Sequence, residues 1–439
     1  TGRPFQSPRH PRRRRRRRDP GAAPGLVTRF QRKAGGGTGA PAGSVGPLAA
    51  AWAGVVGDVA AGHSVPVRRS RAGVVSIACS SSAWAQELTA RREDLAERLR
   101  AACPDQTITG MRFSVADHAV APAGLPPAYS EPLSQLERDL RAGRFVVTAE
   151  VAPPLSAATG KLERNVERVK PYVTAVNFTD NPSATARMSS LACCALALNE
   201  GAEPVLQLAA RDRTRVTVQS EALGASALGV RNVLCLSGDS GRMGPEPMGR
   251  LDVVDLDSVQ MLWLLRRMRD EGTYLDGRPI KTPPRLFLGA AASPYASRPE
   301  FQALREQKKV NAGAQFFQTN CIFDLDRFEV WLNALAKRDV LDKVYILAGI
   351  APLKSARMAH YMHDKVPGVV IPERILRRMD EAGDGAEEEG VAIALELIEA
   401  VRARQAVHGV HLMAIGWEEI VPRLVTEAGL LRPGAPGAH

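Results

Sequence analysis

The sequence predicts an α/β chain whose main body is a (β/α)8, or TIM, barrel carried behind a disordered basic N-terminal extension. Three observations point there. Eight short runs rich in Val, Ile, Leu and Phe recur along residues 144–416. Helix-length stretches separate them. The runs also lack clean apolar/polar alternation, as expected of parallel strands buried on both faces. The runs are FVVTAEV, AVNFTDN, PVLQLAAR, VLCLSGD, LFLGAAAS, FFQTNCIFD, VYILAGIAPLK and GVHLMAIG. Most close on a polar residue, and in such a barrel the chemistry gathers at the carboxyl ends of the strands.

Residues 1–85 are rich in Arg, Pro, Gly and Ala and poor in large apolar side chains, a composition that buries too little surface to offset chain entropy. Disorder is expected there. The first methionine is Met111, so this stretch reads either as a dispensable extension or as sequence lying ahead of a later translation start. Residues 86–132 follow as a helix, QELTARREDLAERLRAA, and a linker, PAGLPPAYSEP. The barrel is expected over 133–431, with 432–439 as a tail. LSQLERDLRAG (133–143) reads as an amphipathic helix closed by Gly143, placed to plug the amino-terminal end of the barrel. Helices are then expected at 161–172, 183–201, 219–229, 257–273, 301–313, 325–338, 356–364 and 389–405. GVVIPE (368–373) reads as a further short strand.

The formal charge of +11 is local. Residues 1–75 hold 15 Lys/Arg against Asp19 and Asp58, whereas the remainder holds 43 Lys/Arg against 45 Asp/Glu. Seven consecutive arginines, Arg12 to Arg18, could neutralise phosphates, but without interleaved aromatic residues they read as a solvated run, so nucleic acid is not expected as a partner. No run of 18 apolar residues suggests a membrane partner. The six cysteines show no paired CxxC spacing and no nearby histidine, which reads as reduced buried thiols in a cytoplasmic protein with no metal. Sequences of the types GxGxxG, GxxxxGK[ST], HExxH and GxSxG are absent from the expected places, which argues against a Rossmann dehydrogenase, a P-loop enzyme and a serine hydrolase.

Glu150 ends the first strand ahead of Pro153 and Pro154, where a carboxyl near apolar neighbours would have its pKa raised, as a general acid needs. A glutamate that only shapes the loop is the competing account. Asp239, behind Gly238, could face a polar heterocycle edge, with the glycine admitting close approach. Gln207, Gln318 and Asn320 offer amides that could read a heterocycle or satisfy loop backbone. Gln318 and Asn320, two apart, are expected on one strand face. Lys309 and Lys354 could meet phosphate or carboxylate groups or be solvated.

These strings, with KKVNAGAQFFQTNCIFD and GVHLMAIGWEEIVPRLV among them, resemble the methylenetetrahydrofolate reductase family over about residues 144–431, in particular its short catalytic-subunit type. The resemblance implies reduction of 5,10-methylenetetrahydrofolate to 5-methyltetrahydrofolate, or the reverse, on FAD or FMN. Glu150 matches the general acid, and Asp239 the carboxylate beside flavin and pterin. Asn177, Gln207, Ser237, Gly238 and Lys309 match flavin-contacting positions, and Gln318 and Asn320 substrate-binding ones. NAD(P)H or an electron-donating partner subunit is implied as the reductant, and a homo-oligomer as the assembly. Asn320 stands where the family usually has glutamine, Asn177 where it has threonine and Ser237 where it has arginine. The LGAAAS segment lacks the tyrosine and glutamate that hold the adenine dinucleotide. An alternative is therefore a flavin-free pterin-binding barrel that transfers a one-carbon group.

Overall fold

A computed structural model describes residues 46–115 (apart from 62, 71, 80 and 81), 131–432 (apart from 246–254, 296 and 297) and 434–436. The chain divides into two compact units, Thr1–Val120 and Ala121–His439.

The first unit corrects the expectation of disorder for residues 46–85. Helices Gly46–Val56 and Asp58–Ala61 lead into strands β1 (Ser64–Arg69) and β2 (Val74–Cys79). Helices Ser82–Ala90 and Arg92–Ala102 and strand β3 (Gly110–Val115) complete the unit. β1 pairs antiparallel and β3 parallel with β2. The core gathers Leu48, Trp52, Val55, Ile77, Leu88, Leu95 and Leu99. Its cause is local. Leu48, Trp52 and Val55 recur at helical spacing, and the average over a long Arg/Gly/Pro-rich stretch hides that stripe. The indole of Trp52 donates to Ser64 Oγ at 2.9 Å, so this large side chain is buried with its polar atom satisfied. The helix expected over 86–102 breaks at Arg91. The poly-arginine run and most of the proline-rich linker lie outside the described residues.

The second unit is the expected barrel. Strands β4 (Val146–Val151), β5 (Ala175–Phe178), β6 (Pro204–Ala209), β7 (Asn232–Leu236), β8 (Phe287–Ala292), β9 (Phe316–Cys321), β10 (Tyr345–Ile350) and β11 (Gly409–Leu412) close in chain order, with β11 parallel to β4. Each matches one apolar run. Outward residues such as Val147, Phe178, Leu206, Val233, Leu288 and Phe317 pack under the helices. Burial of each large side chain contributes roughly 1.5–3 kcal/mol.

Inside, a lower ring of Val146, Ala175, Val205, Leu234, Phe287, Phe316 and Leu347 meets Leu136 and Leu140 of the helix Gln135–Arg141. The plug helix is where the sequence places it. Ser134 caps it through Glu137 N at 3.0 Å. The half-buried carboxylate of Glu203 takes the Gln135 and Leu136 amides at 2.5 and 2.8 Å, satisfying two more of the helix's unpaired donors. A Cβ on Gly289 would run into the Phe316 ring, so glycine there makes room for the stacked Phe287–Phe316 pair.

Helix boundaries shift by a few residues, and two assignments fail. GVVIPE forms no strand; the chain passes there without ladder pairing into the helix Glu373–Glu381. That helix was not expected from the sequence. Its pattern ERILRRMDE places Ile375, Leu376 and Met379 on one buried face. The stretch 183–201 also splits, with a single turn at Pro182–Ala184 and a helix at Ser190–Asn199.

Candidate active site

Period-two alternation stacks a polar layer on the apolar ring. Thr148, Asn177, Gln207, Gln318 and His411 sit one step above Val146, Ala175, Val205, Phe316 and Gly409, and Glu150 one step above Thr148. Asn177 and Gln318 are 0 % and 2 % exposed and form a reciprocal amide pair: Asn177 Nδ2 donates to Gln318 Oε1 at 2.6 Å and Gln318 Nε2 to Asn177 Oδ1 at 3.1 Å. The second hydrogen of that Nε2 reaches Thr148 Oγ1 at 3.0 Å. Thr148 Oγ1 lies 3.0 Å from Nδ1 of the buried His411. Gln318 Nε2, a donor only, also lies 3.4 Å from Nδ1, so Nδ1 is placed as an acceptor and the threonine hydroxyl donates to it. The imidazole therefore carries its proton on Nε2.

That nitrogen faces Glu150, 3.6 Å from Oε2. Gln207 Nε2 reaches the same oxygen at 3.4 Å. Both contacts are long, Oε1 has no hydrogen-bond partner among the described residues, and the Glu150 side chain is 19 % exposed. The carboxyl is thus flanked by two N–H groups on one side and open to the mouth on the other. Burial beside Glu150 pushes the Cys321 thiol up to about 12, which keeps this neighbour an inert thiol.

The other expected residues are placed less simply. Gln207 serves Glu150 rather than joining Gln318 and Asn320. Gln318 and Asn320 do not simply share a face, because the pairing of β9 with β10 slips between Gln318 and Cys321. Asn320 leans toward Gly368, where a Cβ would meet its Nδ2 at 2.9 Å. Its amide has no hydrogen-bond partner among the described residues. Asp239 is exposed, and its Oδ2 accepts Ser183 N at 2.6 Å. Gly238, at φ +85°, makes room for protein: a Cβ there would meet Arg211 Cβ at 3.1 Å and Ala209 Cβ at 3.2 Å.

Lys309 is 6 % exposed; its ammonium donates to Ala291 O at 2.6 Å and pairs with the fully buried Glu306 at 2.9 Å. Glu306 in turn takes Gln302 Nε2 at 2.5 Å, so these charges fix the end of β8 from behind. Lys354 stacks on Trp417, 5.3 Å from the ring centroid, and lies 3.7 Å from Glu387. Sequence reasoning missed Thr148, His411 and Arg211. A polar residue inside an otherwise apolar strand, as in GVHLMAIG, was the available signal.

Residues 135–429 match the methylenetetrahydrofolate reductase family. The chain belongs to the methylenetetrahydrofolate reductase family. Residues 28–113 match a different one, described as Dna(CI) antecedent, DciA. No curated protein matches the chain. Among solved structures, the reductase-family barrel is similar to an uncharacterized protein from Clostridium thermocellum that binds two copies of 5-methyl-5,6,7,8-tetrahydrofolic acid (14 % identity, 67 % of this chain and 97 % of that one, TM-score 0.47). It is also similar to an F420-dependent secondary alcohol dehydrogenase in complex with an F420-acetone adduct (12 %, 67 % and 99 %, TM-score 0.41) and to tryptophan synthase from M. tuberculosis (12 %, 69 % and 99 %, TM-score 0.35). No described helix is long and apolar enough to cross a membrane.

The family implies a flavin, and several of the residues expected to contact it have protein partners here. Asn177 is sealed in the amide layer, Gln207 serves Glu150, Ser237 donates to Ser258 Oγ at 3.1 Å, and Lys309 is neutralised by Glu306. Among the described residues, the Gly238–Asp239 turn lies at the mouth with the Asp239 side chain exposed.

Proposed function

We propose that this reductase-family barrel interconverts 5,10-methylenetetrahydrofolate and 5-methyltetrahydrofolate, with Glu150 as general acid. The observation that carries the reading is the flanked carboxyl: one oxygen between His411 Nε2 and Gln207 Nε2, the other open to the mouth. In the reduction, Glu150 gives its proton to the bridging nitrogen of the folate as the carbon–nitrogen bond breaks. The one-carbon unit is left as an iminium, which a hydride then converts to methyl. The two N–H groups, at 3.6 and 3.4 Å, stabilise the carboxylate by closing on it as the proton leaves, and Thr148 and Gln318 keep the imidazole aimed at it. Asp239 and the unpartnered amide of Asn320 supply an acceptor and a donor–acceptor pair suited to a pterin edge.

The hydride comes from a reduced donor, NAD(P)H, a flavin or an electron-donating subunit, and we place the enzyme in the cytoplasm as a homo-oligomer. A flavin-free barrel that transfers the one-carbon unit is the second reading; the engagement of Asn177, Gln207 and Lys309 by protein partners favours it. The test is an absorption spectrum of the purified chain, followed by anaerobic 5-methyltetrahydrofolate with NAD(P)+ present. Bleaching of a flavin band, or appearance of NAD(P)H, supports the redox reading. Binding of the folate without either signal moves the assignment to transfer or to an enzyme that needs its electron-donating subunit. Absence of binding removes both.

A further inference from the structure

Arg211 stands in the single turn Ala210–Asp212 after β6 and ties together three successive loops of the barrel mouth. Its Nη1 donates to the backbone oxygen of Asp239 at 2.9 Å, in the loop after β7. Its Nη2 donates to the backbone oxygen of Asn181 at 3.1 Å, in the loop after β5. Asp212 anchors the fork from its own loop, taking Nε at 2.8 Å and Nη2 at 2.6 Å. The Arg211 amide donates to Ser237 O at 3.0 Å, and its stem fills the space that glycine leaves at 238. The guanidinium is mostly buried, and its pKa lies above the ordinary value chiefly through the hydrogen bonds to Asp212.

The loops it joins are not relaxed. Asn181, Ser183 and Ala184 all have left-handed backbone, at φ 46°, 54° and 54°, which non-glycine residues adopt only when the surroundings impose it. The Ser183 amide is the group that reaches Asp239 Oδ2. Neighbouring Arg213 is engaged elsewhere, pairing with the buried Asp180 and with Glu221 at 2.7 Å. Asp180 therefore does not compete for Arg211.

We propose that Arg211 is the positioning residue that presents the Asp239 carboxylate to the folate, by locking the loops after β5, β6 and β7 into one rim. The inference rests on the proposed folate reaction and adds to it a residue that touches no substrate. A planar fork with five fixed donors can bridge two backbone carbonyls and a carboxylate at once; a lysine ammonium, a point charge on a flexible stem, cannot hold all three.

The test compares the full-length wild type with Arg211→Lys, Asp239→Asn and the double variant, measuring 5-methyltetrahydrofolate affinity, KM against kcat, and hydrogen exchange over residues 181–184 and 237–241. Arg211→Lys is expected to weaken folate binding about tenfold and raise KM in step, with kcat within about twofold and exchange accelerated in those two segments. The double variant is expected to bind no more than about twofold worse than Asp239→Asn, since the two changes remove one interaction. Wild-type affinity in Arg211→Lys, or losses that multiply in the double variant, overturns the proposal while leaving the folate reading intact. A wild type that binds no folate overturns the folate reading, and this proposal with it. If Arg211→Lys does not fold, Asp212→Asn, which frees the fork without removing it, is expected to show the same pattern at smaller size, and unchanged affinity and exchange there reject the proposal.

Discussion

His411 turns Nε2 toward the Glu150 carboxylate, 3.6 Å from Oε2, while its Nδ1 rests against the Thr148 hydroxyl at 3.0 Å. The arrangement assigns the proton to Nε2, because the donor-only Gln318 Nε2 also faces Nδ1, at 3.4 Å. A carboxyl with an N–H donor already aimed at it can lose its proton with little rearrangement. Four expectations follow from this layer, the rim beside it and the two cores.

Glu150→Gln keeps the shape and removes the proton. Folate turnover should fall by roughly 10²–10⁴-fold, the usual contribution of a positioned acid, with 5-methyltetrahydrofolate affinity within a few-fold of wild type. Turnover within threefold of wild type would remove Glu150 from the acid role.

Gln318→Leu strips the partners from Asn177 and Thr148 in a layer without access to water. Each buried group left unpaired costs about 1–3 kcal/mol, so this variant should lose about 2 kcal/mol or more in denaturant unfolding. His411→Phe fills the space but removes the donor and leaves only the Thr148 hydroxyl without its acceptor, so it should cost less stability than Gln318→Leu, about 1–3 kcal/mol, and lower kcat by about tenfold or more. A variant pair with the opposite ranking would separate the network from Glu150.

The barrel was legible because its strands are buried on both faces, so each left an apolar run as a marker, and the end of the first run located Glu150. The polar layer was not legible. Thr148 and His411 look like interruptions until closure of β11 on β4 pairs them in register, a contact between residues 263 positions apart. Gln318 and Asn320 misled for a related reason: period two holds only where the ladder is regular, and β9 slips against β10 there. Lys309 reads in the sequence as an available cation, but the side chain that neutralises it, Glu306, lies on its own helix and could have been read at the i,i+3 spacing. In the first unit, average composition outweighed a local stripe of Leu48, Trp52 and Val55.

The rim should carry an acid-sensitive share of stability. Hydrogen bonding to Arg211 holds the Asp212 carboxyl below its ordinary value. Its contribution is therefore present above the unfolded carboxylate pKa and is lost as the pH falls through the lowered folded value. Asp212→Asn should melt below wild type at pH 6 and converge on it toward pH 3. A gap that stays constant over that range would show that the pairing contributes nothing linked to this proton.

The two cores can be separated by one substitution in each. Leu136→Ala removes a buried plug residue from the amino-terminal end of the barrel and should cost about 2–5 kcal/mol, as large-to-small core changes do, while leaving folate affinity unchanged because the reactive layer lies toward the other end of the strands. Trp52→Ala removes the largest fully buried side chain of the first unit and its bond to Ser64, with an expected loss of about 3–5 kcal/mol in that unit. Each unit has its own hydrophobic cluster, so calorimetry of the full chain should show Trp52→Ala shifting one transition and Leu136→Ala the other. If both substitutions moved a single shared transition, the two clusters would be one cooperative core, and folate binding at the barrel mouth would be expected to stabilise the first unit as strongly as the second.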